Sequence, residues 1–335
     1  MRTLVVGGTG FLGGAIAETA AGAGHEVTIL SRGETRRDLP GGTRVIHGDR
    51  YGSLKALRNE RFDFVFDTCA FSPDAVENLL GVVGADLGGY VLISSISAYG
   101  TFWKPRLNER EPVPTASGAD LALARSVPQD RRASAAAYGA SYGPLKRACE
   151  ISAQDSLGER AIVLRVGLLV GAGDYTDRLT WWVRRIDEGG VIAAPAPHNR
   201  SIQLIDARDA AEFAVHAAIS GCSGIYNVTG PEMPLSAVLD EAVRISASDA
   251  EFVWVSEEKL ANAGIDAWTE MPLMAPPVPS FRHFMQVDID KAHRDGLRHR
   301  PLTDTLDQIL HWDRQNRDRP LKCGVPPQKQ AAALR

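Results

Sequence analysis

The sequence predicts an α/β protein built on a doubly wound parallel sheet, with a smaller α/β lobe towards its C-terminal side. Three observations carry this expectation. Short apolar runs alternate with helical stretches over roughly the first hundred residues, a glycine-rich turn joins the first run to the first helix, and beyond Gly171 the rhythm gives way to Trp181-Trp182, scattered prolines and short segments.

Taken in order, Leu4-Val5-Val6 reads as the first strand and residues 11–22 as an alanine-rich helix. Glu26-Val27-Thr28-Ile29-Leu30, Arg44-Val45-Ile46-His47 and Asp63-Phe64-Val65-Phe66-Asp67 read as strands two to four. A helix follows from Pro73, and Tyr90-Val91-Leu92-Ile93-Ser94 reads as strand five. Continuous apolar runs bounded by turn residues are the mark of strands buried on both faces of a parallel sheet. Residues 104–138 break the alternation: they are polar, carry Pro105, Pro112, Pro114 and Pro128, and are expected to form a mobile insertion or lid. A helix resumes near Tyr142, followed by a strand at Ala161-Ile162-Val163-Leu164-Arg165. The last residues, 321–335, contain Pro326-Pro327 and are expected to be a flexible tail.

Composition narrows the function. The 335 residues balance 37 basic against 41 acidic side chains for a net charge of −4, which excludes the strongly basic face of a phosphate-tracking nucleic-acid binder. No apolar run approaches the ~18–20 residues that span a bilayer, and the start of the chain lacks a signal-peptide pattern. Cys69, Cys149, Cys222 and Cys323 lie far apart without metal-ligand spacing. The expectation is a cytoplasmic enzyme with reduced thiols and no metal, acting on a small molecule as a monomer or homodimer.

Gly7-Gly8-Thr9-Gly10-Phe11-Leu12-Gly13 follows strand one and opens a helix. This is the GxxGxxG turn of a Rossmann dinucleotide site: Gly7 makes the tight turn, Gly10 lets backbone approach a pyrophosphate, and Gly13 lets helix and strand pack closely. Phe11 and Leu12 begin the helix whose free N–H groups face the phosphates. After strand two, an NAD site would carry an acid for the adenosine ribose, yet this chain has Ser31-Arg32-Gly33. A guanidinium suits a 2′-phosphate, so NADP is expected at Ser31 and Arg32, with NAD the alternative and Arg36 and Arg37 adding charge. Asp49 is placed to accept from the adenine amino group. Residues 1–170 are accordingly assigned to dinucleotide binding, and 171–320 mainly to a substrate lobe with some segments returning to the sheet.

Tyr142-Gly143-Pro144-Leu145-Lys146 places a phenol and an ammonium four residues apart, on one face of a helix. A nearby ammonium favours the phenolate, and Lys146 can also hold a nicotinamide ribose. Pro144 fits only within the first turn, which sets Tyr142 at the helix start. The hydroxyls of Ser94 and Ser95 at the end of strand five lie where open α/β sheets bind ligands. Either can donate to a substrate carbonyl oxygen while Tyr142 moves the proton.

With the glycine turn, the strand-five serines and the Tyr142–Lys146 pair in view, the sequence resembles the extended short-chain dehydrogenase/reductases, also called the NAD-dependent epimerase/dehydratase family. It looks closest to bacterial isoflavone-reductase-like members. The resemblance runs over about residues 1–245 and continues through Leu164-Arg165-Val166-Gly167 and Asp206-Ala207-Arg208-Asp209. It implies that Ser95, with Ser94 the alternative, is the active-site hydroxyl beside Tyr142 and Lys146. Sugar-nucleotide members carry a pyrophosphate-gripping arginine where this chain has Ile202, with Arg200 out of register.

Phe71, Trp103, Tyr175, Trp181, Trp182, His198, Met271, Met274 and the Phe281–Phe284 stretch are candidates for an apolar substrate pocket. The leading expectation is an NADP(H)-dependent oxidoreductase moving hydride between a nicotinamide and a carbonyl or carbinol carbon. The alternatives are an epimerase or dehydratase working by transient oxidation on a tightly held dinucleotide, and a non-catalytic dinucleotide-binding protein.

Overall fold

The structure is a computed structural model that describes residues 1–34, 37–84, 86–132 and 134–335. Its centre is a seven-stranded sheet. The strands along the chain are β1 (Arg2–Val6), β2 (Glu26–Ser31), β3 (Arg44–His47), β4 (Phe64–Asp67), β5 (Gly89–Ser95), β6 (Ala161–Val166), β7 (Leu168–Val170), β8 (Val191–Pro195), β9 (Ser201–Ile202), β10 (Leu204–Asp206), β11 (Gly224–Val228), β12 (Met233–Pro234) and β13 (Glu251–Val255). The helices are α1 (Phe11–Gly22), α2 (Pro73–Val83), α3 (Gly118–Ser126), α4 (Tyr142–Leu157), α5 (Arg178–Asp187), α6 (Ala207–Ile219), α7 (Leu235–Ser246), α8 (Glu257–Asn262), α9 (Asp290–Arg294), α10 (Leu302–Gln315) and α11 (Pro327–Leu334).

The large sheet runs β11-β6-β5-β4-β1-β2-β3, and its pairings are parallel. Alternate residues of each strand enter opposite cores. Val5, Ile29 and Phe66 pack under α1 and α6, whereas Leu4, Val6 and Val65 pack with residues of α2 and α4. Burial on both faces is why these strands are apolar throughout rather than alternating. Because β1 lies between β2 and β4, the winding reverses there, and a crevice opens over the carboxyl ends of the two strands.

The smaller lobe has its own core, centred on the fully buried Trp182 and on Leu235, Leu239 and Ile309 from α7 and α10. It carries the pairs β8–β13 and β9–β12, while α6 and β11 fall back onto the large sheet. None of the described helices is long and apolar enough to cross a membrane.

Two expectations are corrected. Within 104–138 the described residues are ordered: α3 begins with a reciprocal capping box between Ser117 and Asp120, and Ala124, Val127 and Tyr138 pack on Phe71 and Leu145. That small core offsets the polarity that suggested mobility. Residues 321–335 do not form a free tail. Helix α11 docks on the lobe with Ala333 fully buried, and Lys329 bridges to Glu270 at 2.6 Å.

Candidate active site

The crevice over β1 and β4 contains a cavity of about 290 Å³, bordered by Gly7, Gly10, Phe11, Leu12 and Gly13 at the turn and by Tyr142 and Lys146 beyond. Gly7 has φ +80°, the left-handed region that favours glycine. At Gly13 a Cβ would lie 2.3 Å from the Gly7 carbonyl oxygen, so any side chain would push α1 off the turn. The first turn of α1 carries no acidic residue and no side-chain cap, which leaves its N–H groups for an anion. This cradle fits a dinucleotide pyrophosphate.

Ser31, Arg32 and Asp49 border the same cavity further along. Arg32 is not alone there: it bridges to Glu34 at 2.5 Å and donates to the Gln129 carbonyl at 2.5 Å. Glu34 also borders the cavity, so an acid does stand near the end of β2, three residues after Ser31, where the sequence reading found none. Asp49 accepts from the Gln129 side chain at 2.7 Å. Arg37 binds Glu18 at 2.7 Å and lies across Gly14, where a Cβ would meet its Nε at 2.2 Å. Arg36 lies outside the described residues.

Helix α4 begins at Tyr142, with Pro144 inside its first turn as its φ requires. Gly143 brings the helix against the turn after β5: a Cβ there would be 2.2 Å from the Ser97 carbonyl oxygen. That contact sets the Tyr142 phenol against the Ser95 hydroxyl. Burial raises the Tyr142 pKa above its ordinary value, and the neighbouring Ser95 hydroxyl works in the opposite direction; no formed hydrogen bond joins the two among the described residues. Ser95 accepts from the Ser97 N–H at 3.1 Å, which leaves its own O–H free to donate.

Of the two strand-five serines it is Ser94, not Ser95, that borders the cavity, but the Ser94 hydroxyl turns inward and donates to Glu150 at 2.6 Å. Glu150 is fully buried and is held by both donor nitrogens of Arg165, at 2.9 and 2.7 Å. The strand-five serines thus divide: Ser94 is tied into the sheet, and Ser95 faces the phenol.

Lys146 departs from expectation in how it is held. Its amine donates to the Ala70 carbonyl, just beyond β4, at 2.9 Å and to the Ile93 carbonyl within β5 at 2.6 Å, and no hydrogen bond joins it to Tyr142 among the described residues. Burial lowers its pKa. Two of its three donors are used, and the third remains.

The candidate substrate residues scatter. Phe71 and Tyr175 border the cavity. Trp181, Trp182, Met271, Met274 and Phe284 are buried in the lobe core, Trp103 is exposed, and His198 sits on a surface turn. Arg200 does not border this cavity, and its Nη2 is bound to the Ala196 carbonyl at 2.6 Å and Glu257 at 2.5 Å. Sequence reading missed Arg50, which binds the buried Asp67 side chain at the end of β4 and borders the cavity. The Gly48-Asp49-Arg50 run after β3 was the available signal, but the partner lies 17 residues away.

The chain matches the family described as "NAD dependent epimerase/dehydratase family" over residues 3–229. Among curated proteins, 2′-dehydrokanamycin reductase of Streptomyces kanamyceticus is 32% identical over 123 residues, covering 35% of this chain and 34% of that protein. The match thus spans about a third of that relative. UDP-N-acetylglucosamine 4-epimerase from Bacillus cereus superposes with a TM-score of 0.66 at 19% identity, covering 94% of this chain and 96% of the other. MoeE5 in complex with UDP-glucose and NAD gives 0.63 at 18% identity, covering 94% and 99%. dTDP-glucose 4,6-dehydratase from Bacillus anthracis in complex with NAD gives 0.66 at 14%, covering 95% and 98%. At these identities the likeness is one of fold.

Proposed function

The chain belongs to the NAD dependent epimerase/dehydratase family, and from that premise we propose that it is an NADP(H)-dependent oxidoreductase of the short-chain dehydrogenase/reductase type, acting on a carbonyl or carbinol carbon of a small metabolite. The observation that carries this reading is the placement of Tyr142 and Lys146 on the cavity that begins at the glycine turn, with the Ser95 hydroxyl beside the phenol at the carboxyl edge of β5.

The dinucleotide, when bound, supplies the hydride donor or acceptor. Gly7, Gly10, Phe11, Leu12 and Gly13 would hold its pyrophosphate; Ser31, Arg32 and Asp49 would hold its adenosine; the free donor of Lys146 would hold a ribose hydroxyl. In the reducing direction Ser95 donates a hydrogen bond to the substrate carbonyl oxygen. When the carbonyl carbon is reduced, the C=O π pair goes to that oxygen, which takes the Tyr142 phenolic proton. The phenolate left behind is reprotonated from solvent. Oxidation runs the same steps backwards. The preference for NADP rests on the guanidinium of Arg32 at the cavity edge and of Arg37 beside the first turn of α1.

The test pairs binding with turnover. Tyr142→Phe is expected to lower kcat by about a thousandfold or more while the Kd for NADPH, measured by fluorescence titration, stays within about twofold. Unchanged turnover removes the proton-transfer role. NADPH consumed in step with product supports the reductase; product formed without net consumption of dinucleotide selects an epimerase or dehydratase instead.

A further inference from the structure

Beyond the reacting centre, Arg178 opens helix α5 as a half-buried guanidinium. It forms no ion pair or side-chain hydrogen bond among the described residues. It lies instead 4.4 Å from the centroid of the Trp268 ring. The nearby carboxylates are committed elsewhere. Asp174 accepts from the Thr176 N–H at 2.8 Å and from its hydroxyl at 2.7 Å. Asp177 is taken by the Arg319 guanidinium and by the Lys322 N–H at 2.9 Å. Burial leaves Arg178 below its ordinary pKa, an effect that Asp174 does not cancel.

A second cation stands over Tyr175, three residues before Arg178. The Lys322 amine lies 5.5 Å from the centroid of Tyr175, makes no ion pair among the described residues, and is exposed. Tyr175 borders the cavity, and its phenol lies within electrostatic range of both Tyr142 and Arg178. Trp268 holds φ +71°, a strained value for a bulky side chain, and packs edge-on to Phe284 at 5.6 Å. The strain is kept in the residue that backs the Arg178 guanidinium.

We propose that Arg178 and Lys322, gathered around Tyr175 and backed by Trp268, form a subsite for an anionic oxygen group on the substrate, a carboxylate or a phosphate monoester, and so select acidic carbonyl compounds. A partly desolvated guanidinium with unused donors binds such a group through paired charge-assisted hydrogen bonds, and the Trp268 ring holds its plane. The subsite is distinct from a pyrophosphate grip at Arg200, whose Nη2 is bound to the Ala196 carbonyl and to Glu257. The inference rests on the proposed reductase site for the place of the carbonyl, but its test does not need turnover.

Three ketones identical but for the remote group serve as probes: para-acetylbenzoate, para-acetylphenyl phosphate and the neutral para-acetylbenzamide. Their binding to the intact protein with NADPH is followed by tryptophan fluorescence and calorimetry. The charged probes are expected to bind about tenfold or more tighter than the amide. Arg178→Gln is expected to remove that preference without changing NADPH affinity, and Lys322→Gln, on an exposed side chain, to reduce it about threefold. A tighter phosphate than carboxylate identifies a phosphate monoester as the source, and the reverse order a carboxylate. Equal affinity for charged and neutral probes, including no measurable binding of any, overturns the subsite, as does a preference that survives both substitutions. Failure of the reductase reading would show separately, as Tyr142→Phe retaining full turnover.

Discussion

Gln129 donates its side-chain amide to Asp49 at 2.7 Å, and its backbone carbonyl accepts from Arg32 at 2.5 Å. One residue of the segment before α4 therefore bonds two of the three residues assigned to adenosine. An incoming dinucleotide has to exchange these bonds for its own. Gln129→Ala removes the Asp49 bond but leaves the backbone one, and a single net hydrogen bond is worth roughly 0.5–1.5 kcal/mol. The expected outcome is a Kd for NADPH about two- to tenfold lower by titration calorimetry. A weaker Kd would instead make Gln129 a support that orients Asp49.

The same end of the cavity holds a second opposition, the Arg32–Glu34 pair at 2.5 Å. Glu34 is 55% exposed at its side chain, so the pair is screened and contributes little to stability. Its effect falls on the choice of dinucleotide, because a carboxylate beside a 2′-phosphate repels it. Glu34→Gln is expected to tighten NADPH about three- to tenfold and leave NADH nearly unchanged, whereas Arg32→Ala weakens NADPH selectively. Loss of NADH affinity in Glu34→Gln would place the Glu34 carboxylate on the ribose hydroxyls and make NAD the natural cofactor.

How much of this was legible beforehand follows from where each partner sits in the sequence. The strands of the large sheet are buried on both faces, so Leu4–Val6 and Val91–Ile93 are readable as unbroken apolar runs. The start of α4 was readable from Pro144, which fits a helix only in its first turn. The order within 104–138 was written partly in plain view: Ser117 and Asp120 have capping-box spacing, three residues apart. Its core was not, because Phe71 and Leu145 come from elements on either side of it. The division of labour between Ser94 and Ser95 depends on Glu150, 56 residues from Ser94, and no local pattern announces that distance. Trp181 and Trp182 were readable as candidates for a substrate pocket, yet both are buried in the lobe core among residues distant in sequence.

Gly143 makes the placement of Tyr142 testable apart from its chemistry. The added methyl of Gly143→Ala would meet the Ser97 carbonyl oxygen at 2.2 Å, and backbone cannot swing aside as a side-chain end can. Helix α4 must therefore move away from the β5 turn and carry the phenol off Ser95. A displacement near 1 Å costs about a hundredfold in rate, so kcat is expected to fall by about that factor while NADPH still binds. Gly81→Ala is the control. Gly81 lies in α2 with open space around its Cβ position, and that change is expected to stabilise the fold by up to about 1 kcal/mol in urea denaturation. Equal kcat in the two variants would mean that the Ser97 contact does not position the phenol.

Beneath the cavity, Asp67 at the end of β4 is fully buried, bound by Arg50 at 2.6 Å and by the Tyr90 hydroxyl at 2.6 Å. Arg50 also donates to the Ala75 carbonyl at 3.0 Å, so it ties the loop carrying Asp49 to β4 and α2. Despite burial, which raises a carboxyl pKa, the Arg50 charge and these bonds hold Asp67 below its usual value. A depressed folded pKa means that the unfolded carboxyl binds its proton first as pH falls. The contribution of ionised Asp67 is therefore complete above about pH 4 and is lost as pH drops through the lower folded value. Arg50→Ala leaves a buried carboxylate unpaired, and is expected to cost about 3–5 kcal/mol at neutral pH and to weaken dinucleotide binding through Asp49. Asp67→Asn is also destabilised at pH 7, because the Arg50 charge is then unpaired, but its stability should decline less steeply than the wild type between about pH 4 and pH 2. Parallel urea-unfolding profiles for Asp67→Asn and wild type across that range would show that the acid sensitivity of the fold resides in another carboxylate.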